Sequence, residues 1–209
     1  MLDLLLNNIK TGEFDYTILS SCLSKYKKPR NQITKLIKKQ LIVRIKKGLY
    51  VFGPNSNGPE YSKEILANLI YGPSYISMQY ALAYHGLIPE KVFTLTSMTN
   101  KRNKVFTTPV GNFTYKYISP RKYSIGITRI KIRENSYVLF ASPEKALADI
   151  LISEKNIDSV SDLNIFLIQN LRIEESNIAK LNLKYLREIQ RAYKLPVISH
   201  LIKLTEQLR

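Results

Sequence analysis

The chain has 209 residues, 44% of them apolar, which is enough for one large domain or two small ones and excludes disorder as its overall state. Its 32 Lys and Arg side chains outnumber 16 Asp and Glu, giving a formal charge of +16. Because such a surplus repels itself unless it meets an anionic partner, nucleic acid is the leading candidate.

The first residues, MLDLLLNNIK, carry an acid at Asp3 and no small-residue cleavage site, so they do not read as a secretory signal. No apolar run reaches the roughly 18 residues that a membrane span needs. The one cysteine, Cys22, allows no internal disulfide and no cysteine-built zinc site. We therefore expect a soluble cytoplasmic protein with no metal and no cofactor.

The positive charge is concentrated in two segments. Residues 1–59 hold 11 basic and 3 acidic side chains, and residues 91–133 hold ten basic and none acidic. Residues 60–90 sum to −2, and residues 134–209 hold ten of each sign. One such basic run could be a solvated surface, but two of them favour binding faces.

The N-terminal segment has the pattern of two helices joined by a short turn. We predict a helix over Thr17 to Ser24, a connection over Lys25 to Lys28, and a second helix from Pro29 to about Gln40. An apolar stripe on the second helix consists of Ile33, Leu36, Ile37 and Leu41. The opposite face is polar and basic, which is the layout of a helix-turn-helix recognition element.

The segment Ile42 to Phe52 is predicted to be a β-hairpin that turns at Lys47 and Gly48, where glycine allows a positive φ. With Arg44 and Lys46 pointing outward it would be a basic wing. The segment then forms a winged helix-turn-helix, whose helix reads base edges while its wing contacts phosphates. The alternative is a small basic helical domain that binds protein or RNA.

Side-chain chemistry divides the candidate DNA contacts into two sets. Asn and Gln can pair bidentately with adenine, so the predicted base contacts are Asn31, Gln32 and Lys35. Any cation can pair with a phosphate. Arg30 is predicted to lie nearer the inner edge of the helix, so we assign it to phosphate rather than to a base. The predicted phosphate contacts are Arg30, Lys38, Lys39, Arg44, Lys46 and Lys47.

A run of turn-forming residues at positions 53–59 (GPNSNGP) predicts a boundary, which we place as a linker over 54–59 between domains 1–53 and 60–209. Beyond it we predict a helix over Glu60 to Tyr71 and another over Gln79 to His85. Five β-rich runs and an antiparallel sheet follow. Ser142 and Pro143 open a further helix, and three or four amphipathic helices complete the chain. The expected class is α+β, a winged helix-turn-helix domain followed by a mixed antiparallel-sheet and helical domain.

Four ordered blocks carry a family resemblance. They are YISMQYALAYHGLIPE (75–90), VFTLTSMTNKRNK (92–104), VGNFTYKYI (110–118) and ASPEKALADIL (141–151), and RIKKGLYVFG (44–53) precedes them. In this order they resemble the AbiEi-type antitoxins of bacterial type IV toxin-antitoxin, or abortive infection, systems. The resemblance covers most of residues 15–155, and the last fifty or so residues match only in being helical.

The resemblance implies a winged helix-turn-helix that represses its own operon, joined to a domain that counteracts a co-encoded toxin of the nucleotidyltransferase class in phage defence. It implies operator DNA with inverted repeats, and therefore two protomers on each operator. It does not imply a stable complex with the toxin.

Standard enzyme signatures such as GxGxxG, Walker A, HExxH and GxSxG are missing from the sequence. Glu144, Lys145 and Asp149 could hold Mg²⁺ in a nuclease, and a metal-dependent nuclease with a winged-helix targeting domain is the alternative function. We favour a structural role, with Glu144 at the positive end of a helix dipole. His85 is expected to contact a helix-terminal carbonyl or a neighbouring strand, and His200 is assigned no role.

The second basic segment supplies a further candidate. We expect its cations to form a second electrostatic surface for DNA, for the toxin or for its RNA substrate. Those residues are Lys101, Arg102, Lys104, Lys116, Arg121 and Lys122.

Overall fold

The computed structural model describes residues 1–209 as an α+β fold with two sheets and two hydrophobic clusters. The N-terminal block, residues 1–53, alternates helices and short strands. Its elements are α1 (Leu2–Asn8), β1 (Glu13–Asp15), α2 (Tyr16–Cys22), α3 (Pro29–Lys38), β2 (Ile42–Lys46) and β3 (Leu49–Phe52).

Local chemistry sets the ends of these helices. The Asp15 side chain accepts a hydrogen bond from the Ile18 amide at 2.8 Å, which caps α2. Pro29 occupies the first turn of α3, where its missing N–H costs nothing. Gly48 has the positive φ of 86° that the hairpin turn requires. Strands β1 and β2 both pair antiparallel with β3, giving the order β1-β3-β2.

A small core holds the N-terminal block together. Ten buried apolar side chains from its helices and strands form one cluster, with Leu19, Leu36 and Ile42 fully buried. The rings of Phe14 and Phe52 meet at 4.9 Å between centroids. Ile33 and Leu36 enter this core from α3, as the apolar stripe predicts.

The C-terminal block, residues 60–209, is built on a six-stranded sheet with helices on its faces. Its first helices and strands are α4 (Lys63–Ile70), β4 (Ser74–Ile76), α5 (Met78–Tyr84), β5 (Leu95–Thr99), β6 (Lys104–Thr108), β7 (Gly111–Tyr117), α6 (Pro120–Tyr123), β8 (Ile127–Arg133), β9 (Ser136–Ala141) and α7 (Pro143–Leu151). The remaining helices are α8 (Val160–Ile165), which continues as one π-helical turn (Phe166–Asn170), α9 (Glu175–Ala179), α10 (Leu183–Tyr193) and α11 (Pro196–Gln207).

The sheet is mixed, which corrects the expectation of an antiparallel one. Its order is β6-β7-β5-β4-β9-β8, and the pairs β4–β9 and β5–β7 are parallel. Strand β4, three residues long, was not predicted, although it lies at the centre. Apolar alternation marks a strand but carries no information about its neighbour, so strand direction was decided by packing.

Helix α4 starts three residues later than predicted because Ser62 is its N-cap. The Ser62 hydroxyl accepts hydrogen bonds from the amides of Glu64 and Ile65 at 3.1 and 3.2 Å. Ser142 caps α7 in the predicted way, accepting from the Lys145 amide at 3.2 Å.

The two blocks are packed together, so residues 54–59 are a folded connection between touching surfaces. Ile45, Leu49 and Val51 of the hairpin belong to the 40-residue cluster of the C-terminal block. The Glu13 carboxylate accepts a hydrogen bond from the Ser62 amide and pairs with Arg133. No helix has the length and apolar content needed to cross a membrane.

Candidate nucleic-acid interface

The outer face of α3 is polar and basic. Ile33 and Leu36 are buried, whereas Asn31 and Lys35 are exposed and Gln32 is half-buried. No acidic residue occurs in the helix. The structure therefore confirms the two faces that the sequence predicted and places all three expected base contacts on the accessible side or its edge.

Arg30 is exposed and lies at the edge of α3 that meets the start of α2. Its Nε is 3.5 Å from the hydroxyl of Tyr16, at the start of α2, and both side chains are exposed. This hydrogen bond raises the pKa of Arg30. The contact links the starts of α2 and α3.

The hairpin presents two cations outward and one inward. Arg44 and Lys47 are exposed, as expected. Lys46 is half-buried, and its Nζ donates to the carbonyl oxygens of Leu69 and Ile70 at 2.9 and 2.5 Å. These carbonyls end α4 and have no partners within the helix, so they attract the ammonium group. Lys46 therefore differs from Arg44 and Lys47, because its ammonium group is already hydrogen-bonded to the protein.

Three further cations border the same face. Lys25, Lys27 and Lys28 lie in the connection between α2 and α3 and are exposed. The sequence pattern predicts this stretch only as a turn. Its density of lysine directly before Pro29 was the signal that could have identified it.

Two of the six cations expected to form a second basic surface, Lys104 and Lys116, lie in neighbouring strands of the sheet. Lys104 lies opposite Tyr115 in the sheet register, so the two side chains share one face of the sheet. Helix α4 packs on this face, because the Tyr115 hydroxyl donates to the carbonyl of Ala67 at 2.6 Å. Lys116 follows Tyr115 directly and therefore faces the other side. Lys116 lies opposite Met98, and Met98 lies opposite Tyr75, so these three side chains share the second face. Helix α7 packs on that face, because Lys145 of α7 lies over the Tyr75 ring. Lys104 and Lys116 therefore lie on opposite faces of the sheet.

Lys122 belongs to that other side and is half-buried. Its Nζ lies 5.3 Å from the ring centroid of Tyr193, and its carbonyl accepts a hydrogen bond from Lys145 at 2.6 Å. Lys116 and Arg121 are exposed nearby in sequence. Arg121 and Lys122 belong to α6 and Lys116 to β7, whereas Lys101, Arg102 and Lys104 lie at the β5–β6 turn.

Lys145 and Asp149 form a buried ion pair in the interior, with Nζ and Oδ1 3.3 Å apart. Asp149 Oδ2 accepts hydrogen bonds from Tyr75 and Ser77 at 2.9 and 2.7 Å, and Oδ1 accepts one from Tyr193. Burial lowers the pKa of Lys145, and Asp149 opposes that shift. Every oxygen of this carboxylate is already engaged by the protein, which gives the cluster a structural use.

Glu144 is buried rather than exposed at the helix start. Its Oε1 accepts a hydrogen bond from the Asn182 amide at 2.8 Å, so the residue joins α7 to the beginning of α10. This contact adds to the helix-dipole role that the sequence suggested. His85 meets the carbonyl of Ala141 at 2.8 Å, which confirms the expected contact.

A scan against models of known protein families finds no match to this chain, and a search of curated proteins also finds none.

Proposed function

We propose that this chain is a DNA-binding transcriptional autorepressor and the antitoxin of a type IV toxin-antitoxin system. The DNA-binding part rests chiefly on one observation, the acid-free outer face of α3 beside a basic hairpin. The antitoxin part rests on the resemblance of the ordered sequence blocks to AbiEi-type proteins.

The order of elements in the N-terminal block supports a winged helix-turn-helix. Helix, strand, helix, helix and a two-stranded hairpin follow one another, and β1 completes a three-stranded sheet with the hairpin. In this assignment α3 is the recognition helix and β2–β3 is the wing. Asn31, Gln32 and Lys35 would meet base edges, and Arg30, Arg44 and Lys47 would meet phosphates.

Binding to the DNA upstream of the chain's own reading frame tests the repressor. Fluorescence anisotropy compares that duplex with a shuffled duplex of equal length and composition, each over a range of salt concentrations. We expect the upstream duplex to bind at least about 10³-fold more tightly at physiological salt. Equal affinities for the two duplexes would overturn sequence-specific repression.

Co-expression tests the antitoxin. The adjacent reading frame is induced alone and together with this chain, and growth is measured. We expect the neighbour to arrest growth and this chain to restore it, including when Lys35 is changed to Ala, because the proposal assigns protection to the C-terminal block. A neighbour without toxicity, or toxicity that this chain leaves unchanged, would contradict the assignment.

The alternative of a metal-dependent nuclease gains no support from Glu144, Lys145 and Asp149. All three side chains are buried, and each contacts a protein partner. A cleavage assay with Mg²⁺ and duplex or single-stranded substrates tests that alternative directly.

A further inference from the structure

The two basic segments of the sequence meet at the C-terminal end of α4. Lys46, from the hairpin, donates to the carbonyls of Leu69 and Ile70. Lys101, from the β5–β6 turn, donates to the carbonyl of Gly72 at 2.5 Å. Two ammonium groups from opposite sides of the block boundary therefore lie around the same four residues of backbone.

Lys104 joins them through an aromatic ring. The Nζ atoms of Lys101 and Lys104 each lie 5.5 Å from the ring centroid of Tyr71, and Lys104 lies 5.0 Å from that of Phe106. Desolvation lowers the pKa of Lys46, and repulsion from Lys104 and Lys101 lowers it further. The three cations are thus close enough to repel one another.

No carboxylate pairs with any of these three lysines, since the four ion pairs of the molecule involve other residues. The groups that they contact are backbone carbonyls at and just after the end of α4 and the rings of Tyr71 and Phe106, none of which carries a full negative charge. A net positive charge remains at the cluster.

The cluster also has free donors on a rigid support. An ammonium group has three N–H donors, and the protein engages two on Lys46, one on Lys101 and none on Lys104. Thr99 Oγ1 donates to the Pro73 carbonyl at 2.7 Å, and Asn103 Oδ1 accepts from the Tyr117 amide at 2.6 Å, which fixes the β5–β6 turn.

We propose that Lys46, Lys101 and Lys104 form one phosphate-binding site, shared by the hairpin and the β5–β6 turn, that holds a backbone phosphate of duplex DNA. The duplex is favoured because Lys46 follows Arg44 and precedes Lys47 on the hairpin beside α3. DNA lying along α3 and the hairpin would then extend onto the C-terminal block. This inference rests on the proposed function and extends the DNA contact beyond the N-terminal block.

The test is the salt dependence of duplex binding by the full chain, measured with Lys101→Ala/Lys104→Ala. Each lost phosphate contact changes the slope of log K against log salt by about 0.9. Because the site holds one phosphate, we expect the double variant to flatten the slope by about 0.9 on both upstream and shuffled duplexes. Lys101→Arg/Lys104→Arg should restore it, because the charge returns.

A matched control removes the same charge elsewhere. Lys155 and Lys184 are exposed on the C-terminal helical part, without recorded ion pairs, and Lys155→Ala/Lys184→Ala should leave the slope unchanged. Thermal melting of every variant verifies the fold. A slope equal to that of the wild type in folded Lys101→Ala/Lys104→Ala would overturn the site and show that these lysines only cap α4.

The proposed function can fail separately. If the wild type binds both duplexes equally but the Lys101→Ala/Lys104→Ala variant flattens the slope, the phosphate site stands and specific repression falls. If the wild type prefers the upstream duplex and the slope does not change, repression stands and the site falls. If no duplex binds, both are wrong.

Discussion

Three lysines show how the surroundings of a single ammonium group determine its use. Lys35 is exposed on α3 with no recorded side-chain partner and can meet a ligand. Lys46 donates two hydrogen bonds to carbonyls at the end of α4. Lys145 is fully buried and pairs with Asp149. The same side chain is therefore exposed on a helix, engaged at a helix end or paired in the interior, depending on its surroundings.

Lys35 and Lys47 form a matched pair of exposed cations with different expected effects on DNA binding. Lys35→Ala should cost about 1 to 3 kcal/mol on the preferred operator and relax base preference at one position. Lys47→Ala should weaken binding equally on all sequences and flatten the salt slope by about 0.9. Affinity measurements on a set of single-base operator variants check both.

If both variants lost affinity uniformly, α3 would not be the element that reads sequence. Lys47 is the suitable hairpin variant, because Lys46→Ala would also remove a contact that stabilises α4.

Glu64 provides a pH test of the junction between α4 and α5. Burial raises the pKa of its carboxyl, but hydrogen bonds from Ser62 and Tyr80, each 2.5 Å long, outweigh burial and hold the pKa below its ordinary value. A depressed folded pKa stabilises the protein above the ordinary value of 4.5, and the effect is lost as pH falls through the folded pKa.

Glu64→Gln should therefore lower the free energy of unfolding near neutral pH, and its deficit should shrink as pH falls below about 4.5. Tyr80→Phe removes one of the two hydrogen bonds and should show a smaller deficit with the same trend. Urea unfolding of the wild type and both variants across pH 3 to 7 measures the difference in unfolding free energy. A deficit independent of pH would contradict the assignment.

At the scale of elements, α7 is the centre of the C-terminal block. Eight of its nine residues are buried, including Glu144, Lys145 and Asp149. Lys145 and Asp149 connect it to β4, α6 and α10, and Glu144 reaches the first turn of α10. A helix with this many polar contacts in the interior fixes where its neighbours lie.

Removing the Glu144 carboxylate should loosen α10. Glu144→Ala removes the part-buried hydrogen bond to the Asn182 amide and should cost about 0.5 to 1.5 kcal/mol of unfolding free energy. Glu144→Gln keeps an oxygen acceptor and should cost less. Urea unfolding with hydrogen exchange at the start of α10 measures the effect, while duplex affinity should stay unchanged because α10 lies outside the proposed interface.

An unchanged stability in Glu144→Ala would show that the Asn182 contact contributes nothing. Loss of toxin protection in a fully stable Glu144→Gln would instead revive a catalytic role for this residue.

At the scale of the whole molecule, the hairpin has two functions. One edge of it belongs to the proposed DNA interface, and its inner face supplies Ile45, Leu49 and Val51 to the larger core. The ion pair between Glu13 of β1 and Arg133 of β8 is a second contact between the two blocks. We infer that the two blocks unfold together.

Leu49→Ala tests this coupling. The substitution should cost about 2 to 5 kcal/mol, as for other buried leucines, and should speed global hydrogen exchange equally in β3 and in β5. Leu19→Ala, in the separate ten-residue cluster, is the comparison and should also affect both blocks. Exchange that rises in only one block would show that the blocks are independent.

The sequence by itself determined the features that arise from local periodicity and local chemistry. The faces of α3, the turn at Gly48 and the cap at Ser142 all depend on residues within a few positions of each other, so the sequence contains the necessary information. The distribution of charge along the chain was also readable directly.

Only the tertiary structure decided which distant residues meet. The alternation of β5 and β7 could not reveal that they are parallel neighbours, because either direction of pairing produces the same pattern. The short strand β4 forms only because two others flank it. Lys46 and Lys101 are 55 positions apart, yet both bind the end of α4, since unpaired carbonyls attract whatever cation packing brings close.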